Sequence, residues 1–297
     1  MIRSALGIWG LENLFGGDFR GVIDVVRRAD ALGVDQVVMT DHVVMGERTD
    51  RYPYGTFPLP PEAPWFEPLL SLAAMASVTS RIRLSTSVLI APLRPAALLA
   101  KQAATLDRLS GGRLDLGVGT GWQREEYEAS GIPFARRAER LVDQLRACQA
   151  LWRDSPAHFS SETVRLNGIH CRPAPVQAGG VPLWFGLAAS EVNCRRIAEL
   201  GVGWIPIAQD PKEIARGVSA LRRAFEKAGR DPAELLVRAQ LPLCTGSAGR
   251  PDLDATLAGL ESTVAAGVTH IEVLPVLFCR RAADLDACLL RIARLRE

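Results

Sequence analysis

Residues 111–126 read GGRLDLGVGTGWQREE, with five glycines, three of them alternating in GVGTG at the end of a short apolar run. A dinucleotide fingerprint needs G-x-G-x-x-G between a first strand and its helix. Here the third glycine would have to stand where the chain has Trp122, and the next apolar run, VPLWFGL, does not end in the acid that would hold a ribose. The alternation fits another setting, the C-terminal end of a barrel strand. There, glycines let ligand and backbone approach closely and expose N–H groups to a phosphate. A glycine-rich corner that serves only barrel geometry is the competing reading.

Working outward, short apolar runs alternate with amphipathic segments along the chain. SALGIW precedes DFRGVIDVVRRADALG, VDQVVMT precedes WFEPLLSLAAMASVTS, and IRLSTSVLI precedes RPAALLAKQAATLDRLSGG. RLDLGVGTG is the fourth strand, followed by ARRAERLVDQLRACQALW. VPLWFGL, GWIPIA, LLVRAQLPL and THIEVLP begin four more units, each with its own amphipathic segment. Strict alternation of eight strand-helix units predicts a parallel sheet closed into a (β/α)8 TIM barrel, one domain over residues 1–297. An open doubly wound sheet would bring a composition break between halves, and none is seen. Gly33, Gly201, Gly229 and Gly267 stand where helix C-caps are expected.

Two segments exceed an ordinary connection. Residues 43–64, VVMGERTDRYPYGTFPLPPEAP, follow the second strand with two tyrosines, a phenylalanine and five prolines, and read as a semi-rigid lid at the C-terminal rim. Residues 155–180 precede the fifth strand, and HFSSETVRLNG predicts an inserted β-excursion there.

At 297 residues, 48% apolar, the chain is long enough for a large core, and its formal net charge of +2 points to neither a nucleic-acid nor a membrane partner. A small-molecule substrate is expected. Six cysteines, with no CxxC pair and no histidines at ligand spacing, read as buried reduced thiols, and no metal site is expected. The segment MIRSALGIWG lacks the apolar core of a signal peptide and no run reaches the ~20 residues that span a bilayer, so a cytoplasmic location is expected.

The second strand ends in Asp41-His42, a titratable pair where barrel enzymes keep their chemistry. His42 could hydrogen-bond a cofactor ring or shuttle a proton. The third strand carries Ser85-Thr86-Ser87-Val88, small polar residues that permit a bulge. On period-2 alternation, Arg113 and Asp115 share a face, as do Arg238 and Gln240, and His270 and Glu272. A buried ion-pair network is favoured for them over catalysis, with a substrate-carboxylate clamp from Arg238 as the alternative. Core packing is favoured for Trp9, Trp184 and Trp204, with a place in the pocket wall as the alternative for Trp9.

In order, DH at 41–42, STSVLIAPLRPAALLAKQAATLDRLSGGRLDLGVGTGWQREEYEASG at 85–131, the RRAERLVDQLRACQALW helix and VPLWFGLAAS span most of the chain. Together they resemble the luciferase-like family of flavin- or deazaflavin-dependent oxidoreductases. GVGTGWQREEY with RRAERL is most similar to the branch that uses the deazaflavin coenzyme F420. The resemblance implies a non-prolyl cis peptide at Ser87-Val88 backing the cofactor ring, and His42 with Asp41 at the ring side. It also implies Thr120 and Gly121 at the cofactor phosphate, and Gly186-Leu187 as a second phosphate-side segment. Trp122, at the cofactor site too, departs from the deazaflavin sugar-phosphate dehydrogenases, which carry an acid there; Glu125 and Glu126 lie one turn further on. Leu187 departs from the second glycine of many relatives. F420-dependent hydride transfer is the expected activity. FMN with an FMNH2-dependent monooxygenase is the alternative, and a non-catalytic flavin-binding protein a third. A homodimer and a flavin or F420 reductase partner are further expectations of the resemblance.

Overall fold

Helix α1 (Phe19–Leu32) shows how the amphipathic segments are built. Its Asp18 N-cap accepts the Arg20 N–H, its Val22, Val25, Val26 and Ala29 form one buried face, and Gly33 ends it in the left-handed conformation. Burying each valine contributes roughly 1.5–3 kcal/mol, so the stripe outweighs the weak helix propensity of β-branched residues. In a computed structural model, which describes residues 2–246 and 249–296, such helices surround a ring of parallel strands.

The strands are β1 (Arg3–Gly7), β2 (Gln36–Met39), β3 (Arg83–Thr86), β4 (Leu89–Ile90), β5 (Leu114–Gly119), the hairpin β6 (Ala157–Ser160) and β7 (Arg165–Ile169), then β8 (Leu183–Phe185), β9 (Gly203–Trp204), β10 (Leu236–Gln240) and β11 (His270–Val273). The helices after α1 are α2 (Pro68–Ala76), α3 (Ala96–Leu109), α4 (Arg124–Ala129), α5 (Arg137–Arg153), α6 (Glu191–Leu200), α7 (Pro211–Lys227), α8 (Leu253–Leu257), α9 (Leu260–Ala265) and α10 (Leu285–Ala293). Parallel pairing runs β3-β2-β1-β11-β10-β9-β8-β5-β4, and β3 also pairs with β5, which closes the ring. Because β3 and β4 are two pieces of one position, the expected eight-stranded barrel is present. The excursion before the fifth barrel strand is the antiparallel hairpin β6–β7. No helix of the described residues is long and apolar enough to cross a membrane.

The predicted third strand is interrupted. Ser85 pairs with Asp115 and Leu89 with Val118, so four residue steps on β3–β4 face three on β5, which is a bulge. The Ser87-Val88 peptide inside it is cis. This seam also answers the question posed by GVGTG. A Cβ on Gly117 would lie 1.9 Å from the Thr86 carbonyl oxygen, and one on Gly119 would lie 2.5 Å from the Val88 side chain. Both glycines are therefore required by the neighbouring bulge, which displaces the expectation that they clear space for a ligand. Gly121, at φ +62, packs against Ile90 in the same way.

Other expectations are corrected locally. Gly201 ends α6 in an extended conformation, and its missing Cβ makes room for the Phe185 ring, 2.7 Å from where it would stand. Gly259 divides the segment after β10 into α8 and α9. Cys244 is only partly buried, whereas the other five cysteines are buried. Arg113 turns away from Asp115 to bond the carbonyls of Ala76, Thr79 and Ile82, which close the end of α2 and the turn after it.

Inside the barrel the side chains are polar and joined. Arg83 holds Asp115 through two bonds of 2.7 Å, Asp115 accepts from Gln36 at 2.8 Å, and the fully buried Arg238 donates to Gln36, Ser85 and the Thr86 carbonyl. Arg238 also faces Glu272 at 3.3 Å, and Gln240 donates to Glu272. Burial pulls the Arg238 guanidinium below the ordinary arginine value, opposed by the charges of Glu272 and Asp115. The interior network expected from period-2 alternation is present, with Arg83 in place of Arg113 and without His270, whose Nδ1 meets the Thr269 hydroxyl at 2.8 Å instead. Trp184 and Trp204 are buried in the core as expected.

Candidate active site at the barrel mouth

The C-terminal ends of the strands open into a cavity of about 600 Å³, within the ordinary range for a small-molecule site. Asp41, His42, Ser87, Val88, Thr120, Gly121, Trp122 and Gly186 all line it, from four different strand ends. Trp9 lines it as well, which overturns its assignment to the core. Leu187 does not: its side chain is packed in the core and its carbonyl accepts the Trp204 indole N–H at 2.8 Å. The Gly186 N–H is engaged by the Val118 carbonyl at 2.9 Å, so this segment meets the cavity as a surface without a side chain.

Asp41 and His42 are adjacent but differently employed. Asp41 accepts from Arg94 at 2.7 and 3.0 Å and from the Ile90 N–H at 2.8 Å, so both oxygens are committed to holding β4. Arg94 also reaches Glu67 at 3.0 Å. Burial draws the Arg94 guanidinium down, but the bonds and charge of Asp41 with those of Glu67 outweigh it and hold it above the ordinary arginine value. Asp41 thus acts on the site through the bulge. His42 has its Nδ1 at 3.1 Å from Glu126 Oε2, while Glu126 Oε1 accepts the Val43 N–H at 2.7 Å. Glu126 is fully buried on α4, and a buried carboxylate is tolerated only when hydrogen-bonded.

The WQREE segment latches the 43–64 loop residue by residue. Gln123 exchanges two hydrogen bonds with the backbone of Gly46, Glu125 faces Arg51 at 3.4 Å, and Glu126 holds Val43. The Trp122 ring packs against Tyr52 and Phe57, with centroids 5.2 and 5.3 Å apart. Trp65 packs edge-on to His42 at 4.6 Å. Tyr52, Tyr54 and Phe57 line the cavity, where the lid reading places this segment. The Thr120 carbonyl accepts from the Tyr127 hydroxyl, whose pKa burial pushes up.

The opposite wall carries Gln209, Gln240 and Glu272, joined in a chain that continues into Arg238. Sequence reasoning weighed Arg238, Gln240 and Glu272 as interior residues but missed that Gln209 and Glu272 face the cavity. It also missed Arg94 and Gln123, whose partners lie 53 and 77 residues away and leave no local signal.

A model of the luciferase-like monooxygenase family matches residues 7–257. The chain belongs to that family. An uncharacterized protein of Mycobacterium tuberculosis is 33% identical over 225 residues, covering 74% of this chain and 77% of its own. Two solved structures share the fold. The monooxygenase RslO1 of Streptomyces bottropensis aligns over 99% of this chain and 97% of its own, with TM-score 0.74 and 19% identity. The coenzyme F420 dependent tetrahydromethanopterin reductase of Methanopyrus kandleri aligns over 100% and 99%, with TM-score 0.75 and 14% identity.

Proposed function

We propose that this luciferase-like oxidoreductase holds coenzyme F420 at the barrel mouth and transfers a hydride between it and a small organic substrate. The observation that carries the reading is the convergence of the Ser87-Val88 bulge, Thr120-Gly121, Gly186 and His42 on one cavity of about 600 Å³.

When bound, the cofactor supplies the redox chemistry, and the protein supplies position and protons. Val88 and Ile205 would offer an apolar surface for the ring, Thr120 and Gly121 the close backbone approach for its phosphate, and Trp122 part of the wall beside them. His42 holds or moves a proton at the substrate. Tyr52 and Phe57 exclude water from above.

A second reading, an FMN-dependent monooxygenase, is favoured by the likeness to RslO1, whose name gives that reaction class. Titration of the purified protein with F420 and separately with FMN, followed by cofactor fluorescence, tests the choice. Tighter F420 binding without oxygen consumption supports hydride transfer. Tighter FMN binding with oxygen uptake overturns it in favour of the monooxygenase. For the placement of the site, Gly121→Val is expected to weaken the bound cofactor by at least about tenfold, since its φ of +62 and the 2.9 Å approach to Ile90 exclude a branched side chain. Unchanged affinity in a folded variant would remove Thr120-Gly121 from the site.

A further inference from the structure

We propose that Glu126 is the positioning residue of this site: it accepts a hydrogen bond from the Nδ1–H of His42, which keeps the proton on Nδ1 and presents the bare Nε2 to the cavity. The argument follows from the donors around one carboxylate. Glu126 is fully buried, and among the described residues the only cationic side chain at ion-pair distance from it is His42 itself. Its Oε1 is committed to the Val43 N–H at 2.7 Å, a backbone group that can only donate. In its carboxylate form Glu126 offers only acceptors, and Oε2, 3.1 Å from Nδ1, then accepts the imidazole N–H.

The other ring nitrogen then carries no proton in the neutral ring, and the Trp65 ring packed edge-on at 4.6 Å holds the imidazole plane. His42 lines the cavity, so a substrate hydroxyl there would meet an acceptor, and the imidazolium formed would be stabilised by the buried carboxylate behind it. Glu126 is held on α4 immediately after Trp122 and Gln123, so the same short segment orients the base and latches the loop that covers it. The consequence for substrate deepens the reading above. It favours alcohol oxidation, or the reverse carbonyl reduction, in which one proton leaves or joins the substrate oxygen through His42 while the hydride passes to or from the cofactor.

The test is the tautomer of His42, which needs no cofactor and no substrate. Long-range nitrogen NMR of protein labelled in its four histidine rings, recorded at alkaline pH where the imidazole is neutral, reads it directly. The His42 signal is assigned by its loss in His42→Ala. Wild type is expected to carry the proton on Nδ1. In Glu126→Gln the amide oxygen must still face the Val43 N–H, which turns the NH2 toward Nδ1, so the proton moves to Nε2. Glu126→Asp, which keeps a carboxylate, is expected to keep the Nδ1 proton, and if the glutamine variant does not fold the wild-type tautomer decides alone. In turnover, Glu126→Gln is expected to lose about 10²-fold in kcat with KM and cofactor affinity changed far less. Wild type protonated on Nε2, or the same tautomer in wild type and Glu126→Gln, overturns the proposal. If neither F420 nor FMN binds, the functional reading fails while the tautomer result stands.

Discussion

The chain departs from the regular strand-helix alternation twice, and the two excursions meet opposite fates. Residues 43–64 leave the C-terminal end of β2 and enter the cavity with Tyr52, Tyr54 and Phe57. Residues 155–180 precede the N-terminal end of β8, and none of them lines the cavity. That second segment is tied to the outside of the barrel: Asp107 of α3 accepts from the Val176 N–H, the Gln177 N–H and the Gln177 side chain, Arg108 donates to the Ala174 carbonyl, and Thr163 donates to Asp143 of α5. Two insertions of similar length lead to a cavity wall in one case and a brace in the other. The deciding variable is the end of the strand, because loops following parallel barrel strands converge on the mouth while those preceding them gather at the floor.

The contrast is sharpest where substitutions at the two ends should fail in different ways. The largest effect is expected for His42→Ala at the mouth. Turnover should fall by about 10²–10⁴-fold with cofactor affinity retained, measured by steady-state kinetics beside a fluorescence titration. Loss of affinity in parallel would make His42 a binding residue and the mouth a simpler site. Next comes Asp107→Ala at the brace, where three donors lose their acceptor. Stability should drop by roughly 3 kcal/mol or more in urea melts, with cofactor affinity unchanged. An affinity change there would show that brace and lid are coupled.

The smallest effect tests the barrel interior between the two ends. Burial holds His270 down to about 3 from the ordinary 6.5, with the charges of Arg3, Arg238 and Arg83 adding to it. Between those values the unfolded chain binds a proton that the folded chain does not. Stability is therefore full above about pH 6.5 and declines as pH falls toward 3. Between pH 7 and 5 this side chain should account for about 2 kcal/mol of the loss, and His270→Gln should flatten the urea midpoint over that interval. An unchanged slope would place the acid sensitivity elsewhere.

Much of the molecule is legible without coordinates. The apolar spacing of Val22, Val25, Val26 and Ala29, the Asp18 and Gly33 caps and the repeated strand-helix order lead to the barrel, because each is a local preference summed along the chain. The candidate residues His42, Ser87, Val88, Thr120, Gly121, Trp122 and Gly186 do assemble on one cavity. Their neighbours were less accessible. Glu126 could be weighed only as a spare acid near Trp122, since nothing local distinguishes it from Glu125, which is half-exposed beside Arg51. Trp9, at the end of the first strand, reads as core or as pocket wall until the cavity is drawn around it.

The sequence by itself determined that eight parallel strands would close with helices outside, permitted a bulge on the third strand, and singled out candidate residues at the strand ends after β2, β3 and β5. Only the tertiary structure decided what those residues do there. It assigned Asp41 to Arg94 at a separation of 53 residues and His42 to Glu126 at 84, and set Gly117 and Gly119 against the bulge rather than against a ligand. Periodicity and capping act between neighbours and can be seen in a string of letters. The partner of a buried charge, or the atom that a missing Cβ would strike, depends on which distant strand the closed sheet brings alongside.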